Sequence, residues 1–348
     1  MTSPARTRVA IVGVSGFSGI ELARLLDAHP AFELASAVAD RWQGRLLGSE
    51  VTLGGPAAAV VVRPMTEVLG AMDGVAVALL ATPAEVSAKL APELLARNVR
   101  VVDLSGAFRL ATAEDYPRWY KFTHPAPELL REARYGLPEV PAAGSGAPDV
   151  RKARLVANPG CYATAAIVAL APLLAAGAIE PDVYVDGKSG VTGAGRKAEE
   201  HLMFSEVAEN LSPYRVGNHQ HAPEIELALS RVAHRDVRVT FVPHLLPVRR
   251  GLLCTAFGRL AGGAPAESLP QLMERFYAQG GQVRVAAPEQ VTLARVVGTP
   301  RALVGARGDA DRRSVVSIGA LDNLLKGAAS QALQNLCDMV GAAFEHRA

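Results

Sequence analysis

The chain has 348 residues, 49% of them hydrophobic and 20% charged, which supports a sizeable core and excludes wholesale disorder. That length suits two domains better than one. Lys and Arg total 36 against 34 Asp and Glu, so a net +2 draws the protein onto neither nucleic acid nor an anionic membrane.

The first third alternates short β-branched runs with helical pattern. Val9–Val14 reads as a strand running into glycines. Ile20–Ala28 follows as a helix, with Leu22, Leu25 and Leu26 on one face and His29-Pro30 as its stop. Leu34–Ala39, Ala59–Val62, Val75–Leu80 and Val99–Leu104 read as strands, with a helix over Ala84–Arg97. Strands separated by helix-length segments imply right-handed βαβ units, hence an α/β fold with a Rossmann-like, doubly wound parallel sheet. A Pro-rich irregular stretch, Tyr116–Pro148, is the expected domain boundary.

Past that boundary, Arg154–Ala157 reads as a strand and Cys161–Ala176 as a helix. Val183–Asp186, Val237–Phe241 and Leu252–Phe257 are strands with less helix between them, as in an α+β domain with a mostly antiparallel sheet. Leu321–Met339 reads as a helix, apolar at Leu321, Leu324, Leu325, Ala328, Ala332 and Leu336, that packs back onto the first domain. The longest apolar stretch, Ala163–Ile179, contains Thr164, Pro172 and Gly177 and falls short of the roughly 20 residues a spanning helix needs. Val9–Val14 is far shorter than a signal-peptide core. Three scattered cysteines (Cys161, Cys254, Cys337) exclude a disulfide scaffold and any CxxC zinc site, and they suit a reducing, cytoplasmic setting.

Gly13-Val14-Ser15-Gly16-Phe17-Ser18-Gly19 joins the first strand to the first helix. The spacing is GxxGxxG rather than GxGxxG, yet small residues still let the backbone approach a pyrophosphate at a helix N-terminus. Strand, glycines, helix and second strand fall in the order a dinucleotide site requires. At the end of the second strand, Asp40 would favour the 2′-hydroxyl of NAD and Arg41 the 2′-phosphate of NADP. A Walker A reading of Gly187-Lys188-Ser189 fails, because Asp182 stands where its first glycine belongs.

Asn158-Pro159-Gly160-Cys161-Tyr162-Ala163-Thr164 carries a strand into Pro and Gly, after which a cysteine opens a long helix. N–H groups at a helix start stabilise a thiolate, which makes Cys161 the candidate nucleophile. Cys254, in an apolar strand, and Cys337, on a helical face, read as core. A thiolate needs an acid/base partner, and His219-Gln220-His221-Ala222-Pro223-Glu224 supplies two imidazoles and a carboxylate, with no third strong ligand for a metal nearby. His124 and His244 neighbour prolines and read as structural. Arg109 leaves the end of the fifth strand, where ligands gather in open α/β sheets, and Arg196-Lys197 and Arg249-Arg250 are further basic loops.

Together these segments resemble the N-acetyl-γ-glutamyl-phosphate reductase family, relatives of the aspartate-semialdehyde dehydrogenases. The resemblance runs from Val9 to about Leu336. It rests on Gly13–Gly19, Asp103-Leu104-Ser105-Gly106-Ala107-Phe108-Arg109, Tyr135-Gly136-Leu137-Pro138-Glu139, Asn158–Tyr162, Ser189–Arg196, His219–Glu224 and Asp322-Asn323-Leu324-Leu325-Lys326-Gly327-Ala328. It implies NADPH-dependent reduction of N-acetylglutamyl 5-phosphate to the 5-semialdehyde, with release of phosphate, through a thioester on Cys161. It also implies His219 as general acid/base, Glu224 orienting it, and Arg109, Asn158, Arg196 and His221 toward substrate. Gly13, Ser15, Gly16, Phe17, Ser18, Gly19, Arg41 and Asn323 would hold NADP(H), with no metal. The expected division is 1–155 with 321–348 for the dinucleotide and 156–320 for catalysis, in a cytoplasmic dimer or tetramer.

One departure bears on the substrate. Many members carry Pro after Cys-Tyr, whereas this chain has Ala163. Relatives acting on carrier-linked aminoadipyl phosphate share Ala-Thr there but have Asn in place of Tyr162, so Tyr162 favours the acetylglutamyl substrate over that lysine-pathway alternative. A non-catalytic NADP-binding regulator would be expected to have lost Cys161 or its histidine partner.

Overall fold

The structure is a computed structural model that describes residues 6–140, 143 and 150–346. The chain divides into two compact units, one of Met1–Gly136, Asp149–Pro159 and Ala328–Ala348, the other of Leu137–Pro148 and Gly160–Gly327. The division falls at Pro159/Gly160 and Gly327/Ala328, against the expected 155/156 and 320/321, and Leu137–Pro148 goes with the second unit rather than the first. Among the described residues no helix is long and apolar enough to cross a membrane.

The first unit is built on seven strands: β1 (Thr7–Val12), β2 (Phe32–Val38), β3 (Val62–Arg63), β4 (Val77–Leu80), β5 (Arg100–Asp103), β6 (Arg134–Tyr135) and β7 (Leu155–Ala157). They lie in the order β3-β2-β1-β4-β5-β7-β6, all pairs parallel. Its helices are α1 (Phe17–Ala28), α2 (Leu47–Glu50), α3 (Ala84–Ala96), α4 (Asp115–Trp119) and α5 (Leu129–Glu132), and a late helix, Ser330–Val340, belongs to it as well. Ala10, Val12, Ala78, Leu80 and Val101 join one core cluster with Ala88, Ala91 and Leu94 of α3. Residues of the opposite parity, Val9, Ile11, Leu79 and Val102, are equally buried, so both sheet faces are covered, as continuous apolar strands require.

Two sequence-based assignments change here. The expected boundary at 155/156 cut the strand Arg154–Ala157; its observed strand, β7, pairs parallel with β5 and β6 and lies wholly in the first sheet. The expected third strand, Ala59–Val62, is a 3-10 turn over Pro56–Ala59 followed by the two-residue β3, because Pro56 starts a helical turn.

The second unit holds α6 (Cys161–Ala175), α7 (Phe204–Val207), α8 (His221–Ala233) and α9 (Leu269–Phe276). Its strands are β8 (Asp182–Gly190), β9 (Ser212–Pro213), β10 (Arg238–Leu246), β11 (Leu252–Arg259), β12 (Val283–Val285), β13 (Ala302–Asp309) and β14 (Ser314–Leu321), in the order β12-β13-β14-β11-β8-β10-β9. Four of these pairings are antiparallel and two parallel, the mostly antiparallel sheet expected. α6, α8 and α9 cover one face. Strand residues on the other alternate outward, with Tyr184 54% and Phe257 45% exposed and cross-strand partners. The expected helix over Leu321–Met339 is three elements: Leu321 ends β14, Leu325–Ala329 is a π-helical turn, and α10 (Ser330–Val340) follows. Asp322 breaks the run by accepting the N–H groups of Leu324 and Leu325 at 2.8 and 3.2 Å.

Candidate active site

In the first unit, β1 stops at Val12 and α1 begins at Phe17. Gly13 makes the corner at φ +91°, where a Cβ would sit 2.3 Å from the carbonyl oxygen of Ala81, so the position needs glycine. A Cβ at Gly19 would meet the Gly13 oxygen at 2.3 Å, so the first turn of α1 closes directly onto the loop. Gly16 caps α1 in extended backbone with no side-chain cap, and Ser15, Phe17 and Ser18 sit half-buried around it. The turn lies between β2 and β4, where the strand order reverses and open α/β sheets bind ligands. This cradle, which added side-chain atoms would fill, fits a pyrophosphate. At the end of β2 the Met65 N–H donates to Asp40 Oδ1 at 2.9 Å, and Arg41 beside it is exposed.

Arg109, expected to grip phosphate, is buried with its Nε donating to the Asn158 carbonyl at 2.8 Å and Nη2 to that of Leu104 at 2.6 Å. It ties the ends of β5 and β7 together. Asn158 is fully buried; its Oδ1 accepts from Asn335 Nδ2 at 2.9 Å.

The second unit resumes at Gly160, the N-cap of α6, with half-buried Cys161 as the first helical residue. The sequence folds this way because Gly160 keeps extended backbone while Ala- and Leu-rich helix follows. Three side chains from α8 and its approach converge there. Glu224, 1% exposed, accepts the Gly160 N–H at 2.8 Å. The His221 imidazole lies against the Gly160 Cα: a Cβ there would be 2.2 Å from His221 Nε2. His219 meets it edge-on, ring centroids 4.7 Å apart, and its Nδ1 accepts the His221 backbone N–H at 3.1 Å. Burial first, then His221 and Arg215, push His219 down to about 2, so its ring stays neutral.

Aromatic side chains wall this cluster. Tyr162 meets His219, His221 and Phe241 edge-on at 5.7, 6.0 and 5.2 Å, and its hydroxyl donates to the His244 carbonyl at 3.0 Å. The Tyr214 hydroxyl donates to that of Tyr162 at 3.4 Å. Burial raises the pKa of both phenols, that of Tyr214 to about 12. Gly327 approaches from the far side of the sequence, where a Cβ would stand 2.8 Å from Cys161 Cβ.

Other expected residues lie apart from the cluster's contacts. The Asn323 side chain accepts from Gly251 N at 2.8 Å and donates to Thr192 Oγ1 at 2.9 Å, closing the Gly-rich loop after β8. Arg196 and Lys197 are exposed on that loop, and Arg250 pairs with buried Asp322 at 3.1 Å. Cys254 is buried beside the Tyr162 carbonyl, and Cys337 is buried with its thiol pushed up to about 12 by desolvation. Sequence reasoning missed Tyr214, Gly160 and Gly327 as parts of the site. The two glycines were legible only as small residues beside a helix, the mark of a close approach. Among the described residues, no three His, Cys, Asp or Glu converge as metal ligands would.

The model of the semialdehyde dehydrogenase NAD-binding domain matches residues 8–144, and that of the semialdehyde dehydrogenase dimerisation domain matches 161–323. An N-acetyl-gamma-glutamyl-phosphate reductase of Dehalococcoides mccartyi is 41% identical over 337 residues, 96% of this chain and 95% of that protein. One from Acidithiobacillus ferrooxidans is 40% identical over 331 residues, 94% of each. Among solved structures, aspartate semialdehyde dehydrogenase II of Vibrio cholerae complexed with ASA matches with a TM-score of 0.75 at 22% identity, over 98% of this chain and 100% of that one. The chain therefore belongs to the N-acetyl-gamma-glutamyl-phosphate reductase family, carrying the NAD(P)-binding and dimerisation domains of the semialdehyde dehydrogenases.

Proposed function

We propose that the protein reduces N-acetyl-L-glutamyl 5-phosphate to N-acetyl-L-glutamate 5-semialdehyde with NADPH, releasing phosphate, as a step of arginine biosynthesis. The observation that carries this reading is a half-buried cysteine opening a 15-residue helix with an imidazole laid against the preceding glycine. The chain spans nearly the full length of relatives bearing that reductase name.

His221 takes the Cys161 thiol proton, and the thiolate attacks the acyl carbon. The carbon–oxygen bond to phosphate breaks and a thioester forms. The dinucleotide, when bound, supplies the hydride that reduces this thioester. His221 then protonates the oxygen that gains charge, and takes that proton back as the carbon–sulfur bond breaks to release aldehyde. His219, neutral and bound to the His221 main chain, positions the loop, which reverses the order expected of the two histidines. Glu224 fixes the Gly160 N–H, and with it the start of α6.

The Gly13–Gly19 turn would hold the pyrophosphate, the first unit serving the dinucleotide and the second the chemistry. Asp40 is engaged by Met65, which favours exposed Arg41 as the 2′-phosphate partner and hence NADP over NAD. The outward sheet face bearing Tyr184 and Phe257 is the natural seat for a second copy, in a cytoplasmic dimer or tetramer. The test is the reverse reaction, with NADP+, N-acetylglutamate semialdehyde and phosphate. Phosphate-dependent NADPH formation by wild type, lost at least about 10⁴-fold in Cys161→Ser, is expected. Turnover only with a carrier-linked aminoadipate semialdehyde would move the substrate assignment, and full activity of Cys161→Ser would sink the mechanism.

A further inference from the structure

The second unit contains a fully buried ion pair outside the cluster described above. Lys326 Nζ lies 2.7 Å from Glu139 Oε1, with the two side chains 0% and 1% exposed. Glu139 Oε1 also accepts the Gln282 N–H at 3.0 Å, just before β12. Lys326 stands in the π-helical turn Leu325–Ala329, next to Gly327, whose Cα is the one pressed against Cys161. The other end of this segment is pinned as firmly. Buried Asp322 pairs with Arg250 at 3.1 Å and accepts the Gly298 N–H at 2.8 Å. Between the two pins, the Gly327 N–H donates to the Asp322 carbonyl at 2.9 Å.

A buried ion pair is a costly way to gain stability, since desolvating two charges offsets most of their attraction and apolar side chains of similar size often serve as well. What such a pair does supply is direction: it admits one register of the turn and penalises its neighbours. A π-helical turn, carrying one residue more than an α-turn, is a segment with a near alternative to be excluded.

We propose that the Glu139–Lys326 pair is a positioning device for the nucleophile, fixing the π-turn so that the Gly327 backbone holds Cys161 in one working placement. This rests on Cys161 being the nucleophile. The pair acts through Gly327, the residue next to Lys326.

The test compares wild type with Glu139→Gln/Lys326→Met, which removes both charges together and keeps an acceptor for the Gln282 N–H. Steady-state kinetics are read beside the rate of Cys161 alkylation by iodoacetamide, located by mass spectrometry; Cys254 and Cys337 are buried and stay silent. The expected result is a folded protein whose kcat falls about 10²-fold, as a misplaced group causes, with unchanged KM values and a correspondingly altered alkylation rate. A folded double variant with wild-type kcat and alkylation rate would overturn the proposal, leaving the pair a packing feature only. Should the double variant fail to fold, Gly327→Ala decides. Its added Cβ pushes on Cys161 directly, so changed kcat and alkylation at an unchanged Tm support the proposal, and wild-type values for both overturn it. Cys161→Ser in the same activity assay separates the two readings: if it still turns over, the nucleophile assignment fails, while alkylation of Cys161 in wild type and in the double variant still reports its placement.

Discussion

Two strand-to-helix turns of this chain share an outline and differ in what holds them. The turn from β1 into α1 and the turn from β7 into α6 both cap the helix with a glycine in extended backbone, Gly16 and Gly160, and neither cap has a side-chain hydrogen bond of its own. The first is closed by main chain: Gly13 N donates to the Val38 carbonyl at 2.8 Å and Gly16 N to that of Gly13 at 3.1 Å. The second is gripped by side chains from elsewhere, with Glu224 on the Gly160 N–H and His221 over its Cα. On the proposed function, the first turn would let the backbone itself approach a ligand's phosphates. A turn that presents a reactive sulfur needs distant side chains to fix where that sulfur points and what takes its proton.

The sharpest way to test this contrast is to exchange the two histidines' fates. His221→Asn should lower kcat/KM about 10²- to 10⁴-fold, the range of a lost general acid/base. His219→Asn, whose Oδ1 can still accept the His221 N–H, should stay within about tenfold; equal losses in the two variants would break the assignment. Gly13→Ala attacks the other turn. Placing a side chain at φ +91° against the Ala81 carbonyl should add about 1–3 kcal/mol of strain, hence about 10- to 100-fold weaker NADPH binding by fluorescence titration. The alkylation rate of Cys161 should not move. The smallest effect concerns acid. His219 is depressed to about 2 in the folded chain, against about 6.5 when unfolded. The unfolded state therefore binds the proton first, and stability is full above about pH 6.5 and declines as pH falls toward the folded value. Urea unfolding should register about 1 kcal/mol of loss from this group between about pH 7 and 5.5, and His219→Asn should remove that share.

Legibility followed the range over which each decision is made. The βαβ rhythm from Thr7 to Asp103 was readable because strands buried on both faces are apolar runs and the helices between them are amphipathic. Which sheet β7 joins was not, since the answer lies in its neighbours β5 and β6. β13 and β14 went unread although each has eight residues: Gly305, Gly308 and Gly319 dilute their β-branched pattern. Those glycines exist for close approach, as at Gly319, where a Cβ would stand 2.5 Å from the Ala165 carbonyl of α6. Leu321, Leu324, Leu325 and Ala328 mimic helical spacing across a strand end and a turn. Cys161 was legible because its setting is local, a glycine followed by a helix. The roles proposed for His219 and His221 were not, because they rest on which ring reaches Gly160 from about 60 residues away in sequence.

The placement of α10 has a consequence for how the protein comes to exist. Its residues from Ser330 to Cys337 are all buried, Gln331 and Asn335 donate to the Gly136 carbonyl at 3.1 and 2.9 Å, and the Met339 carbonyl accepts from Arg100. All of these partners belong to the first unit, yet the whole second unit is translated between them. Domains generally fold in the order in which they leave the ribosome, and here that order is interrupted. The first unit waits for a segment made after the whole second unit, with the parts of α1 and β5 that α10 contacts uncovered meanwhile, so a nascent chain halted before residue 330 has all strands of that sheet and lacks the helix packed on it.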